Sequence, residues 1–193
     1  MEETKEKYAV FFPGIGYHKD KPLLYYSSRL LQTYGYQNHF IQYHDLPQKV
    51  KGDEEMMKKA FQIAFTQAVE QLEAVDFNRF KEIIFVGKSI GTVVAAKYVE
   101  DFKIRARQIW YTPVERTFSF AGVDADKNII SFLGDADNWS DVERDKQMAE
   151  EKGIRQYMYP DSNHSLETDD VIKNIEIIRD VMDKTKGFIK KNI

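Results

Sequence analysis

Ser89 lies in the segment Gly87-Lys88-Ser89-Ile90-Gly91, which matches the pattern GxSxG. In this pattern the serine occupies a tight turn between a strand and a helix, and the two glycines let these elements approach closely. The turn exposes the hydroxyl, while the Ile90 amide at the helix N-terminus faces an oxygen that becomes negative during acyl transfer. The pattern predicts a nucleophile at Ser89. The alternative is a serine that only caps a helix after a structural turn.

A serine hydroxyl is a weak nucleophile near neutral pH, so it needs a base, which is usually a histidine. The chain has four histidines. His164 follows the last predicted strand, in a turn-rich loop that places it at the carboxyl edge of the predicted sheet. His39 and His44 lie at the two ends of the second predicted strand, where surface or edge roles are expected. His18 follows the first predicted strand, so it is a rival base or a substrate contact.

The acid that orients the histidine is expected between the serine and the histidine in the chain. This order places the three side chains at successive strand ends of one sheet. The segment Gly134-Asp135-Ala136-Asp137 follows a predicted strand in that interval. It supplies two candidates, Asp135 and Asp137, and their position alone leaves both open.

The elements that must position these residues follow from hydrophobic patterning. Apolar runs of strand length alternate with amphipathic helical patterns, which is typical of repeated βαβ units with strands buried on both faces. The pattern predicts an α/β fold, a three-layer α/β/α sandwich around a mostly parallel sheet of about six strands. The predicted strands cover residues 8–12, 39–43, 82–86, 107–111, 128–133 and 154–159, and the predicted helices cover 22–34, 53–75, 92–99, 141–152 and 169–186.

Composition excludes several classes of protein. The 193 residues predict one domain, residues 1–193, without repeats or linkers. The net charge of -3 comes from interspersed charges of both signs, so neither nucleic acid nor a membrane is expected as a partner. The absence of cysteine excludes disulfides and a cysteine nucleophile. The charged start of the chain and the lack of a long apolar segment favour a cytoplasmic location.

Taken together, these motifs resemble the α/β-hydrolase superfamily, notably its short members without a cap, such as dienelactone-hydrolase-like proteins and small serine esterases. The resemblance covers nearly the whole chain. It implies Asp137 as the acid, because the family's acid commonly follows a strand as GxxD, and it assigns Asp135 to the turn. It also implies His164 as the base. A second oxyanion donor is implied in Pro13-Gly14-Ile15-Gly16, at Ile15 or, with a slip of one residue, at Gly16.

Two other features of the sequence have competing interpretations. The loop after the first strand contains GxG, but Lys19 stands where a dinucleotide fingerprint requires a third glycine, so no nucleotide is expected. No metal or organic cofactor is implied. Lys88 is an uncommon residue before a nucleophile. Two orientations stay open for its side chain: one extends into water, and the other points inward and would favour anionic substrates.

The predicted site has little to cover it. Residues 112–127 have room for a loop and one short helix, so an open site is expected. Aromatic residues near strand ends are candidates for lining a substrate pocket, although such residues also commonly belong to the core. The residues predicted to contact substrate are Tyr17, His18, Tyr111 and Trp139, with Trp110 considered beside them.

These residues predict a serine hydrolase that acts on a small molecule. Ser89 attacks an ester-like carbonyl, His164 transfers the proton, and Asp137 orients His164. The amides of Ile15 and Ile90 hold the oxyanion. Two alternatives stay open: a binding protein of the same fold without turnover, or an enzyme of the same fold that acts on a peptide, thioester or carbon–carbon bond.

Overall fold

The computed structural model describes residues 6–190, and these residues form one six-stranded sheet with helices on both faces. The strands are β1 (Lys7–Phe12), β2 (Tyr36–Phe40), β3 (Glu82–Lys88), β4 (Arg107–Tyr111), β5 (Ile129–Gly134) and β6 (Arg155–Tyr159). The helices are α1 (Pro22–Thr33), α2 (Glu54–Leu72), α3 (Ile90–Phe102), α4 (Glu115–Phe118), α5 (Ala125–Asn128), α6 (Val142–Glu151) and α7 (Val171–Lys190).

All six strands are parallel and follow the order β2-β1-β3-β4-β5-β6. Their carboxyl ends therefore lie along a single edge of the sheet. Because β3, β4, β5 and β6 are consecutive neighbours in that order, the loops that follow them are brought side by side. This is the edge at which ligands bind in open α/β sheets.

The sheet is buried on both faces, as its apolar strands require. Alternate residues of each strand point to opposite faces, so Ile84 and Val86 of β3 pack with α1 and α7, whereas Ile83 and Phe85 pack with α2 and α3. The α6 residue Ala149 joins a third cluster around Trp110. The observed architecture is the predicted three-layer sandwich, with every strand parallel.

Local sequence signals account for where several helices begin. Pro22 opens α1, a position where its missing amide hydrogen costs nothing. The Asp53 carboxylate accepts a hydrogen bond from the Met56 amide at 2.9 Å and so caps α2. Along α2 the buried residues repeat every four positions, which fixes the face that packs on the sheet: Ala60, Ala64, Ala68 and Leu72.

The second strand differs from its prediction. The pattern placed it at residues 39–43, but β2 covers Tyr36–Phe40. Ile41 is nevertheless buried and its amide donates to the Phe11 carbonyl at 2.9 Å. The apolar residues behind the prediction therefore lie mostly after the strand, and His39 lies within β2 rather than at its end.

The segment between β4 and β5 also differs slightly from the prediction. It contains two short helices, α4 and α5, where one was expected. Neither exceeds four residues, so this segment forms no cap domain. Within residues 6–190, no helix is both long enough and apolar enough to span a membrane.

Candidate active site

Ser89 occupies a strained turn between β3 and α3. Its backbone angles are φ 55° and ψ −126°, a conformation that L residues rarely adopt and that neighbouring structure must hold in place. A Cβ atom added at Gly91 would overlap the Phe12 carbonyl, and one added at Gly87 would lie 2.7 Å from the Thr92 Cα. The two glycines of the motif therefore permit the close contact between β1, β3 and α3 that fixes this turn.

His164 lies in the loop between β6 and α7, and this loop is held by its own hydrogen bonds. The Asn163 side-chain oxygen accepts from the Ser165 amide at 2.7 Å and the Glu167 amide at 3.2 Å. Leu166 has a left-handed backbone with φ 58° and is fully buried. The anchored loop leaves the imidazole few alternative positions.

Asp137 lies in the loop after β5, and the residue as a whole is only 3% exposed. One carboxylate oxygen accepts from the Trp139 amide at 2.9 Å. The other lies 2.7 Å from His164 Nδ1. The Ala136 amide also donates to the Ser162 carbonyl at 3.1 Å, so the two loops that carry the acid and the histidine are joined directly.

The three side chains form a continuous hydrogen-bonded relay. His164 Nε2 lies 2.8 Å from Ser89 Oγ, while Nδ1 faces Asp137. An ionised carboxylate can only accept, so the neutral imidazole carries its proton on Nδ1 and the Nδ1–H group donates a hydrogen bond to Asp137. Nε2 then accepts from the Ser89 hydroxyl. This is the geometry in which an imidazole can remove the serine proton.

Burial lowers the pKa of His164, and the positive charge of Lys88 lowers it further. The hydrogen bond and the negative charge of Asp137 oppose this, and Lys51 adds a smaller lowering effect. The net direction is downward from the ordinary value of a histidine. The imidazole is therefore favoured in its neutral form near pH 7, the form that can accept a proton.

Backbone amides lie around the same hydroxyl. Ile90 is the first residue of α3, so its amide has no partner within the helix. The loop after β1 passes close by, because a Cβ atom added at Gly14 would lie 3.2 Å from the Ser89 Cβ. The Tyr17 amide donates to the Gly14 carbonyl at 3.2 Å, which places Ile15 and Gly16 in the middle of a turn. Either residue of this turn stays a candidate for the second oxyanion donor.

The predicted substrate contacts divide into exposed and buried residues. Trp139 is 40% exposed, and its ring is stacked with His164 at a centroid distance of 5.6 Å. It therefore lies at the rim of the site. The exposed His18 lines a neighbouring cavity of about 450 Å³ formed by residues 13–20 and 40–48. Both residues are accessible to a small molecule.

The prediction for Tyr111 is wrong. This residue is fully buried, and its hydroxyl contacts the hydroxyls of Ser27 at 2.8 Å and Thr185 at 3.1 Å inside the layer between the sheet and α1 and α7. Tyr17 is almost as buried, and its hydroxyl accepts from the Leu23 amide at 3.1 Å, so it supports its loop from below. Trp110 also belongs to the core.

Two lysines near the site were not assigned a role there from the sequence. Lys51 Nζ lies 5.3 Å from the centre of the Trp139 ring. Lys88 is 1% exposed, so of the two orientations that the sequence left open, its side chain takes the inward one. The alternation of side chains along β3 indicates that Lys88 is buried, because residues 84, 86 and 88 share one face of the strand and that face is buried. Nothing in the sequence indicated that Lys51 would lie near Trp139.

The described residues contain no group of three or more histidine, aspartate or glutamate side chains arranged to hold a metal ion. The arrangement is suited to proton transfer between a serine and an imidazole beside free amides.

Comparison with solved structures identifies this arrangement of sheet and helices. A protein from Agrobacterium tumefaciens described as an α/β hydrolase superposes with a TM-score of 0.69 at 13% identity, over 99% of this chain and 87% of the other. A serine hydrolase without a lid from Xanthomonas campestris gives 0.65 at 16% identity, over 94% and 82%. The chain has the α/β-hydrolase fold.

A third solved structure is similar over almost its whole length. Est1E of Butyrivibrio proteoclasticus, solved with bound ferulic acid, gives a TM-score of 0.65 at 12% identity, over 98% of this chain and 92% of the other. No sequence profile of a known family matches this chain, and no curated protein matches it in sequence. At these identities the likeness defines only the fold, the α/β-hydrolase fold without a cap, and the function must be inferred from the site.

Proposed function

We propose that this protein is a serine hydrolase that cleaves an ester-like acyl bond. The observation that carries the proposal is the relay in which Ser89 Oγ, His164 and Asp137 are joined by hydrogen bonds of 2.8 and 2.7 Å. The strained backbone of Ser89 supports it, because strain of this kind persists where a side chain must be presented in one orientation. A capping serine would need neither feature, and the Ser89 side chain makes no capping hydrogen bond.

The proposed reaction begins with the attack of Ser89 Oγ on the carbonyl carbon of the substrate. His164 Nε2 accepts the hydroxyl proton as the new C–O bond forms, and Asp137 stabilises the resulting imidazolium. The carbonyl oxygen becomes negative and accepts hydrogen bonds from the Ile90 amide and from an amide of the loop after β1. His164 then returns the proton to the leaving oxygen, and an acyl-enzyme remains.

The second half of the reaction uses the same groups. A water molecule donates a proton to His164 and attacks the acyl carbon, which forms a second tetrahedral intermediate. Collapse of that intermediate returns the proton to Ser89 and releases the acid. The proposed substrate is a small ester, which reaches the site past the exposed Trp139. The chain itself supplies the serine, the histidine, the aspartate and the backbone amides that this reaction uses.

The test is hydrolysis of p-nitrophenyl esters with short acyl chains by the purified protein. We expect wild-type protein to release p-nitrophenol, and Ser89→Ala to reduce kcat by at least about 10⁴-fold while leaving the circular dichroism spectrum unchanged. A panel of thioesters and peptides run beside the esters decides the leaving group. Equal rates for wild-type protein and Ser89→Ala would refute the proposal.

A further inference from the structure

Lys88 is a buried cation that the proposed reaction does not use. Its side chain is 1% exposed, and its Nζ lies 5.0 Å from the centre of the Tyr17 ring. The ring is itself fixed, because the Tyr17 hydroxyl accepts from the Leu23 amide and the Tyr17 amide donates to the Gly14 carbonyl. The Lys88 side chain is therefore packed against a fixed ring and does not extend into bulk water.

The position of Lys88 places its side chain next to the nucleophile. Lys88 directly precedes Ser89 in the chain, and a Cβ atom at Gly14 would lie 3.5 Å from the Lys88 Cγ and 3.2 Å from the Ser89 Cβ. The carboxylates whose charges act on the ammonium are those of Asp137, in the loop after β5, and Glu167, in the loop that carries His164. The Lys88 side chain thus lies against the loop after β1, which carries Gly14 and Tyr17.

A buried ammonium is costly and needs a reason. Burial lowers the pKa of Lys88 to about 7, and the two carboxylates offset only part of that effect. A methionine would fill a similar volume without this cost. The charge of Lys88 also acts on His164. After burial, it is the largest of the influences that lower the pKa of the imidazole.

We propose, building on the serine hydrolase function, that Lys88 is a positioning residue whose charge, buried next to Ser89 and over the ring of Tyr17, opposes a proton on His164 in the resting enzyme. A proton taken from solvent by His164 adds one positive charge beside Lys88. During attack, His164 becomes positive while the carbonyl oxygen becomes negative. Lys88 strongly opposes the protonation of His164 from solvent, because that state has an added positive charge. It interacts only weakly with the state formed during attack, because the new charges on His164 and the carbonyl oxygen sum to zero.

This argument includes the other charged groups around the imidazole. The charges that act on His164 are those of Lys88, Lys51 and Asp137, and those that act on Lys88 include Glu167. Lys51 is exposed, so dissolved salt screens its charge, whereas the charge of the buried Lys88 is screened much less. Salt therefore separates the effect of one lysine from that of the other.

The experiment is an NMR titration of the His164 ring in wild-type protein and in Lys88→Met, with the signal assigned by comparison with His164→Gln. We expect Lys88→Met to raise the titration midpoint by about half to one pH unit, at both low and high salt. Lys88→Arg, which keeps the charge, is expected to restore a midpoint near that of wild-type protein. Lys51→Met is the matched control, and its smaller rise is expected to disappear at high salt.

The same variants are then compared by their pH profiles of kcat/KM. For Lys88→Met we expect the acid limb to move to higher pH by the same amount as the His164 midpoint. If Lys88→Met does not fold, Lys88→Gln is tested by the same criteria. An unchanged His164 midpoint in a folded variant without the charge overturns the proposal. The titration gives this answer without any measurement of hydrolysis, so it is distinct from the test of the proposed function.

Discussion

Asp135 and Asp137 are two residues apart in one loop, yet their carboxylates make different contacts. Asp137 is buried and lies against His164 Nδ1. Asp135 is exposed and accepts a hydrogen bond from the Asp161 amide at 2.6 Å, which ties together the loops after β5 and β6. The resemblance to α/β hydrolases implied this division, and the contacts agree with it, whereas spacing alone had left both residues open.

The two aspartates give a matched pair of variants. We expect Asp137→Asn to lower kcat for a p-nitrophenyl ester by about 10³-fold to 10⁴-fold, because an asparagine amide does not hold His164 in the required tautomer or stabilise the imidazolium. Asp135→Asn is expected to change kcat by about twofold or less. Steady-state kinetics of both variants make the comparison. A larger loss in Asp135→Asn than in Asp137→Asn would reverse the assignment.

Side chains at the rim of the site were harder to predict than the relay. Ser89, Asp137 and His164 follow strands in a recognisable order, so the sequence indicated their meeting point. Tyr111 also ends a strand, but its side chain points into the layer below the edge, and only the three-dimensional packing reveals that. The contact between Lys51 and Trp139 joins loops that are 88 residues apart, and no local pattern encodes it.

At the scale of elements, the turn at Ser89 depends on the approach of α3 to β1. Gly91 is the second glycine of the GxSxG motif and lies against the backbone of Phe12 and Pro13. A rigid backbone cannot move away as a flexible side chain can. Any side chain at residue 91 therefore separates the helix from the strand and displaces the serine.

Two glycine-to-alanine variants test this dependence. We expect Gly91→Ala to lower the free energy of unfolding by about 3 kcal/mol, because its Cβ overlaps the Phe12 carbonyl. Gly187 lies exposed in α7 with open space around it, so Gly187→Ala is expected to raise the free energy of unfolding by about 0.5–1 kcal/mol. Urea denaturation measures both. A Gly91→Ala protein as stable as wild type would show that close packing is not required there.

The helices and central strands were predictable because the spacing of their apolar residues matches the face or faces that each element buries. The predicted strand at residues 107–111 coincides with β4, for example. The edge strand β2 was displaced by three residues, because its central residues Gln37 and Asn38 are polar and the apolar alternation begins only where the strand ends. Hydrophobic patterns report burial, and at a sheet edge burial and strand pairing need not coincide.

At the scale of the whole molecule, the parallel sheet gathers loops from distant parts of the chain. Ser89 and His164 are 75 residues apart, yet their side chains meet because β3 and β6 end at the same edge. The short helices α4 and α5 leave this edge without a cap. An uncovered relay implies that a reactive probe in solution reaches the serine directly.

Covalent labelling with a fluorophosphonate probe tests the central claim most directly, because the probe reacts with a serine only where the fold activates it. We expect native wild-type protein to gain the mass of one probe, with the adduct located at Ser89 by peptide mass spectrometry. Ser89→Ala and urea-unfolded wild-type protein are expected to remain unlabelled. Native protein that stays unlabelled at saturating probe, or that is labelled at another residue, would contradict the account.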